Sequence, residues 1–252
     1  MIGRLCRALA DLLFPRECIV CKTELLLHEK HLCCKCMAEM PFTYFWNFAN
    51  NQALKAFYGR VYLESAFSLI YYTNSYKSLI HSLKYRSNVE PGLWLGEMLG
   101  EKIASSVFAC DRKIDFIIPV PLHWRKKWKR GFNQSVVIAN GISKGLIRAE
   151  NGSENIKKSG RNPSGVQIIE NIVKRRTYTN TQTHKDRISR WKNVEQAFVL
   201  NECIAKRYDL NGKHLLIVDD VLTTGATIEA CCNILLKKYN CKISVATIAC
   251  VE

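Results

Sequence analysis

The sequence predicts an α/β protein: a mostly parallel sheet with helices on both faces, joined to a small N-terminal zinc-knuckle module. Three observations carry this. Short apolar runs alternate with helix-spaced apolar patterns from Ala66 to Cys250, the signature of strands and helices in succession. The run Leu215–Val218 reads as a short buried parallel strand, and helix-spaced Ile228, Cys231, Ile234 and Leu235 follow a turn beyond it. Near the N-terminus, Cys18-x-x-Cys21 precedes Cys33-x-x-Cys36 at metal-ligand spacing.

In chain order, Met1–Phe14 places Leu5, Leu9, Leu12 and Leu13 on one helical face. Arg4, Arg7 and Asp11 interrupt it, so it lacks the apolar region of a signal peptide. An amphipathic helix packed on the knuckle fits best, with membrane-surface binding as the weaker alternative. The first module therefore spans 1–45, and an aromatic- and Asn-rich connector follows over 46–60. The rest, 61–252, is the α/β domain. Within it, Ala66–Tyr72 is a strand and Ser75–Tyr85 a helix. A second helix opens at Glu90-Pro91, with proline in the first turn. Asp115–Val120 is a strand and Asn133–Arg148 a helix. Glu150–Gly165, rich in Asn, Ser, Gly and Lys, reads as a mobile insertion. Val166–Val173 is a short strand, Thr183–Asn193 a short basic helix, and Ile243–Cys250 the last strand.

The two CxxC pairs can close a tetrahedral Zn(Cys)₄ site, a structural zinc that holds a segment too small for its own core. The ligands are Cys18, Cys21, Cys33 and Cys36. Cys34 crowds the second pair and leaves open which two of Cys33, Cys34 and Cys36 bind; His28 or His31 in place of one thiolate is a further alternative. A disulfide reading fits poorly. The chain has 12 cysteines, several of them in apolar runs, which suits a reducing, cytoplasmic setting. No stretch approaches the roughly 20 apolar residues of a membrane span, so stable membrane insertion is not expected.

The segment Leu215–Thr227 carries the chemistry. Asp219 and Asp220 end an apolar strand, where open α/β sheets bind ligands. Thr223, Thr224, Gly225, Ala226 and Thr227 lead into a helix, whose first N–H groups suit a phosphate. Gly225 permits close backbone approach. The paired carboxylates suit sugar hydroxyls or Mg²⁺. There is no GxxxxGK[ST], so this is not a Walker A loop. The alternative is an ordinary βα turn with solvated acids.

The net charge is +15. Between Val120 and Lys192, 17 basic residues face 4 acidic ones, a net of +13. That concentration points to an anionic partner. Interleaved Trp124, Trp128, Phe132, Tyr178 and Trp191 suit single-stranded DNA, where bases stack on aromatic rings. A solvated basic surface is the plain alternative.

The stretch LLIVDDVLTTGAT closely resembles the phosphoribosyl-pyrophosphate motif of type I phosphoribosyltransferases. The resemblance implies that Asp219 and Asp220, the catalytic acids, hold the ribose 2′- and 3′-hydroxyls and that Thr223–Thr227 holds the 5′-phosphate. It further implies a type I phosphoribosyltransferase-like sheet and Mg²⁺ with phosphoribosyl pyrophosphate. Ile118-Pro-Val-Pro121, Arg130-Gly-Phe-Asn-Gln134, Thr181-Gln-Thr183, Arg187, Arg190-Trp-Lys-Asn193 and the CxxC pairs extend the likeness to the whole chain, which resembles the ComF family. That family joins a phosphoribosyltransferase fold to an N-terminal zinc finger and is linked in several bacteria to DNA uptake during natural transformation. By that likeness Pro119, Val120, Pro121, Arg130, Gln134, Arg187 and Arg190 form the pyrophosphate- or DNA-binding region, with a rigid exposed backbone at the two prolines. Expected partners are a ribose-phosphate ligand, single-stranded DNA and DNA-uptake proteins. An active, Mg²⁺-dependent phosphoribosyltransferase with a nitrogenous acceptor is the alternative.

Overall fold

The structure is a computed structural model, and it describes residues 16–84, 89–106, 113–152, 166–176 and 197–251, with backbone alone at 150–152. The expected N-terminal leucine-rich helix, Cys6, Cys110, Thr181-Gln-Thr183 and the expected basic helix at Thr183–Asn193 with Arg187 and Arg190 lie outside these residues. So do Tyr178, Trp191 and the insertion from 153 to 165.

A five-stranded sheet has the order β1-β7-β6-β2-β3, from β1 (Ser65–Tyr71), β2 (Phe116–Pro119), β3 (Gln167–Ile168), β6 (His214–Leu222) and β7 (Lys242–Cys250), and every pairing in it is parallel. Alternation along the central strand assigns the faces. Leu216 and Val218 of β6 join one apolar cluster, while Leu215 and Ile217 join the other, because successive side chains point to opposite sides of a strand. Each fully buried Leu or Ile there contributes about 2 kcal/mol.

One face is covered by α3 (Lys77–Ser82), α4 (Glu90–Ala104) and α6 (Gln134–Gly152). α4 and α6 approach through glycines on both helices. A Cβ on Gly96 would lie 2.5 Å from the Ile138 carbonyl, on Gly100 2.3 Å from that of Ile142, on Gly141 2.3 Å from that of Leu93, and on Gly145 2.1 Å from that of Glu97. Only glycine admits this contact, because any side chain would overlap backbone. Apolar periodicity does not reveal this contact; the G-x-x-x-G spacing in both segments, Gly96–Gly100 and Gly141–Gly145, is the sequence signal that the expectations above did not use.

The opposite face carries α8 (Ala226–Lys238), α2 (Gln52–Lys55) and a small antiparallel pair, β4 (Val173–Arg175) with β5 (Phe198–Leu200), followed by α7 (Glu202–Ala205). The run expected as one strand over Val166–Val173 is thus two: β3 closes the main sheet, Asn171 turns with φ 59°, and β4 leaves for its own hairpin. The segment around Asn51 is docked on the sheet. Asn51 donates to the Phe45, Phe48 and Ala66 carbonyls at 3.3, 3.1 and 2.9 Å and accepts from Leu54 N–H at 3.0 Å, capping α2.

Upstream, α1 (Cys34–Ala38) and the hairpin before it pack on the α3/α4 side: Leu25, Leu32, Cys36 and Met40 share a cluster with Leu79, Leu83 and Leu95. Tyr76 of the main domain donates its hydroxyl to the Cys36 carbonyl at 2.7 Å.

Candidate functional site

The Sγ atoms of Cys18, Cys21, Cys33 and Cys36 all lie within 4.8 Å of one another, and those of Cys21 and Cys33 are 3.6 Å apart. Four thiolates around one zinc at about 2.3 Å stand about 3.8 Å apart, so this set fits a tetrahedral metal ion such as zinc. Local turns produce the convergence. Lys22, in the left-handed region at φ 65°, donates to the Cys18 carbonyl at 2.9 Å, and Cys36 N–H reaches Cys33 Sγ at 3.5 Å. Cys34 points elsewhere: its Sγ lies 3.8 Å from His28 Nε2. Its own N–H donates to Glu29 Oε1 at 2.6 Å, while Leu26 N–H donates to Oε2 at 2.8 Å. That buried carboxylate, held below its usual range by those two N–H groups first, locks the hairpin and turns Cys34 outward.

The second site forms at the carboxyl end of β6. The strand runs through the acids rather than stopping at Val218, since Asp219 pairs with Thr247 and Val221 with Ala249 of β7. Both acids are therefore set by sheet geometry. Ser135 Oγ, near the start of α6, donates to Asp219 Oδ1 at 3.0 Å, and Asp220 N–H donates to the same oxygen at 2.9 Å. Asp219 keeps part of its surface open to solvent, but protein atoms crowd its carboxylate. Burial first, and the Asp220 charge second, raise its pKa to about 7, against the pull of these hydrogen bonds and Arg175.

Thr223 and Thr224 are exposed in the following turn. Gly225 sits at φ 74° as the N-cap of α8, with no side chain capping the helix. Ala226 and Thr227 already belong to the first helical turn, whose N–H groups have no side-chain cap. A Cβ on Gly225 would also lie 2.8 Å from Phe57 Cε1; conformation and packing both require glycine.

Cations surround the acid pair. Lys126 lies on α5 (Trp124–Arg130). Its pKa is lowered by burial first and then by Arg175, Arg130 and Lys84, while Asp220 opposes the shift. Arg175 of β4 stacks over Phe198, 5.2 Å from the ring centre. Its pKa is lowered by burial, with Cys231 and Asp219 pulling the other way. His123, buried at the start of α5, accepts from Arg125 N–H at 3.2 Å and is held below the usual imidazole range by burial and by Arg175, Arg125 and Lys126.

Arg130 donates to Gln134 Oε1 at 2.9 Å. Gln134 is 3% exposed, and its Nε2 has no partner. Pro119, Val120 and Pro121 depart from expectation: all three are buried. Val120 donates to the Val218 carbonyl at 2.8 Å and accepts from Asn133 Nδ2 at 3.0 Å. The backbone there is rigid, as two prolines predict, but sheet pairing and the start of α6 occupy its polar groups instead of solvent. Residues unmarked by sequence reasoning are Ser135, Lys126, Arg175, Phe57, Arg60 and Glu229. Ser135 adjoins Gln134 and Lys126 and Arg175 sit in basic runs, but only the fold separates them from their neighbours.

Comparison with known proteins agrees with this geometry. A family model described as the phosphoribosyl transferase domain matches residues 132–252. DNA utilization protein YhgH of Salmonella typhimurium is 27% identical over 175 residues, 69% of this chain and 66% of that protein. The protein of the same name from Escherichia coli O6:H1 is 30% identical over 168 residues, 66% and 63% of the two chains. Competence protein F of Haemophilus influenzae is 30% identical over 121 residues, 48% and 44%. The matched segment thus spans a little under two thirds of the length of the first of these relatives. Residues 132–252 thus match a phosphoribosyl transferase domain, and these likenesses, with the all-parallel sheet and the cysteine cluster ahead of it, support a ComF family protein.

Proposed function

We propose that this protein binds a ribose-phosphate ligand at the β6–α8 junction and single-stranded DNA on its basic surface, and that it acts in DNA uptake with other uptake proteins. The observation that carries the reading is the contiguity of Asp219–Asp220 with the uncapped start of α8 at Gly225. Sugar hydroxyls fit the first and a 5′-phosphate the second, five residues on. Lys126, Arg130 and Arg175 supply positive charge on the same side, where a pyrophosphate would add negative charge. The relatives' names, DNA utilization and competence, support the DNA half. Zinc in the four-cysteine set would be structural, since a closed Cys₄ site leaves no open position. The free thiols support a cytoplasmic setting, and among the described residues no helix is long and apolar enough to cross a membrane.

A second reading is an active phosphoribosyltransferase. It is favoured by Asp219, whose raised pKa places a carboxylate near neutrality beside the expected ribose. Mg²⁺, held by Asp219 and Asp220 with the ligand's oxygens, would supply charge neutralisation. Ser135 would orient Asp219, and Lys126 and Arg130 would steady the departing pyrophosphate.

Calorimetric titration of zinc-loaded protein with phosphoribosyl pyrophosphate and Mg²⁺, with and without single-stranded DNA at two salt concentrations, tests both. Binding of both ligands, with DNA affinity falling steeply in salt, supports the first reading. Tight Mg²⁺-dependent sugar-phosphate binding without DNA binding favours the enzyme. Absence of both sinks both.

A further inference from the structure

Helix α5 has two faces of different chemistry. At 100° per residue, Trp124 and Trp128 fall within about 40° of each other, while Lys126 and Arg130 fall on the opposite side. Exposure follows the same division. Trp124 is 65% exposed and Trp128 79%, while Lys126 and Arg130 are half-buried. No residue of α5 is buried; the helix is held by its ends, where His123 caps it and Gly131 closes it at φ 85°. Tryptophan is highly buried on average, so two on one face of a two-turn helix form an unusually exposed aromatic surface, with the His123 ring 5.7 Å from that of Trp124 on one side. Beside it, Lys127 and Lys129 make no ion pair among the described residues, and the Arg125 guanidinium lies 5.2 Å from the centre of the Trp124 ring.

We propose that the outer face of α5 is a stacking platform for the bases of single-stranded nucleic acid, with Trp124 and Trp128 taking bases and Lys127 and Lys129 taking phosphates. This rests on the DNA-binding reading above and assigns it a surface. Three observations select the occupant. Five of the seven residues are cations, complementary to a polyanion. The two indoles are one turn apart, about 6 Å along the axis, close to two base steps of about 3.4 Å each. Lys126, on the inner face of the same helix, is close enough to Asp220 to feel its charge, so the platform lies on the same side of the molecule as the acid pair. A lipid surface fits less well, because an interfacial helix buries a broad apolar face and α5 offers two indoles alone.

The test is fluorescence anisotropy of a labelled dT 20-mer with the full-length, zinc-loaded protein over a series of salt concentrations. Trp124→Ala/Trp128→Ala is expected to weaken binding at least tenfold with the salt slope unchanged, and to leave calorimetric sugar-phosphate binding intact. Lys127→Ala/Lys129→Ala is expected to flatten the salt slope by about two. These side chains are exposed, so circular dichroism and Tm should match the parent. A Trp double variant that binds within twofold of the parent overturns the platform while DNA binding stands. A parent that fails to bind dT overturns the DNA reading and the platform together. If dT is ignored while phosphatidylserine vesicles shift the tryptophan emission to the blue, the surface is a lipid contact and the proposal is wrong.

Discussion

Arg60 Nη1 donates to the Thr224 carbonyl at 2.7 Å, so a connector residue 164 positions upstream holds the turn assigned to the phosphate. The same guanidinium pairs through Nη2 with Glu229 in the first turns of α8 and donates to the Ala56 carbonyl at 2.9 Å. With Phe57 against Gly225, the connector forms a brace behind the loop.

Arg60→Ala should therefore cost stability and ligand affinity together. Removing one member of a largely buried ion pair typically costs about 3 kcal/mol, because Glu229, 5% exposed, keeps a charge without its partner. Urea unfolding reads the first effect and calorimetry with phosphoribosyl pyrophosphate the second. Unchanged unfolding would show that the brace is slack in solution.

Asp219→Asn should change the pH dependence of stability. The folded-state pKa of Asp219 is raised to about 7, so the neutral form is favoured in the fold. Its contribution is fully present below the unfolded pKa near 4 and is lost as pH rises from about 4 to 7. One pKa unit corresponds to about 1.4 kcal/mol; allowing for solvent at the pair, the variant should gain on the order of 2 kcal/mol at pH 8 and nothing at pH 3. Thermal melts across that range measure it, and a flat difference would contradict the assignment. In the parent, Mg²⁺ affinity should rise over the upper part of the same interval, as Asp219 ionises.

Asp220→Ala should weaken sugar-phosphate binding and leave binding of single-stranded DNA nearly unchanged, since the pocket and the outer face of α5 are distinct surfaces. If both fall together in a folded protein, the two-surface arrangement is wrong.

Cys18→Ser should release the metal and loosen the hairpin, whereas Cys34→Ser should keep it, because Cys34 Sγ lies beside His28 and not among the four converging thiols. Metal content by mass spectrometry separates the two variants. Metal loss in Cys34→Ser with retention in Cys33→Ser would reverse the ligand assignment.

Gly141→Ala should destabilise the α4–α6 contact by at least about 1–3 kcal/mol, the usual cost of overpacking, because its Cβ would lie 2.3 Å from the Leu93 carbonyl. An unchanged Tm would mean that the helices separate without cost.

The strands and helices of the core were legible because their apolar periods are local. β1, β2, β6, β7, α4, α6 and α8 fall within a few residues of the expected bounds. α5 was not, since WRKKWKR has no apolar stripe and is positioned by its ends. The β4–β5 hairpin was missed because its strands have three residues each and pair across the segment from 177 to 196.

By itself, the sequence determined the α/β alternation, the cysteine spacing, and the acid pair followed by a glycine-bearing turn. Each is written in consecutive residues and enforced by local geometry. Only the tertiary structure decided that Ser135 orients Asp219 across 84 positions, that Arg60 and Glu229 brace the loop, and that Cys34 is turned away from the thiol cluster. It also decided that Val120 spends its backbone groups on β6 and Asn133, and that α5 turns Lys126 and Arg130 inward and its indoles outward. The physical reason is common to all of these: hydrogen bonds, ion pairs and burial act through distance in space, and which of many similar residues share that space depends on how the sheet is ordered and packed.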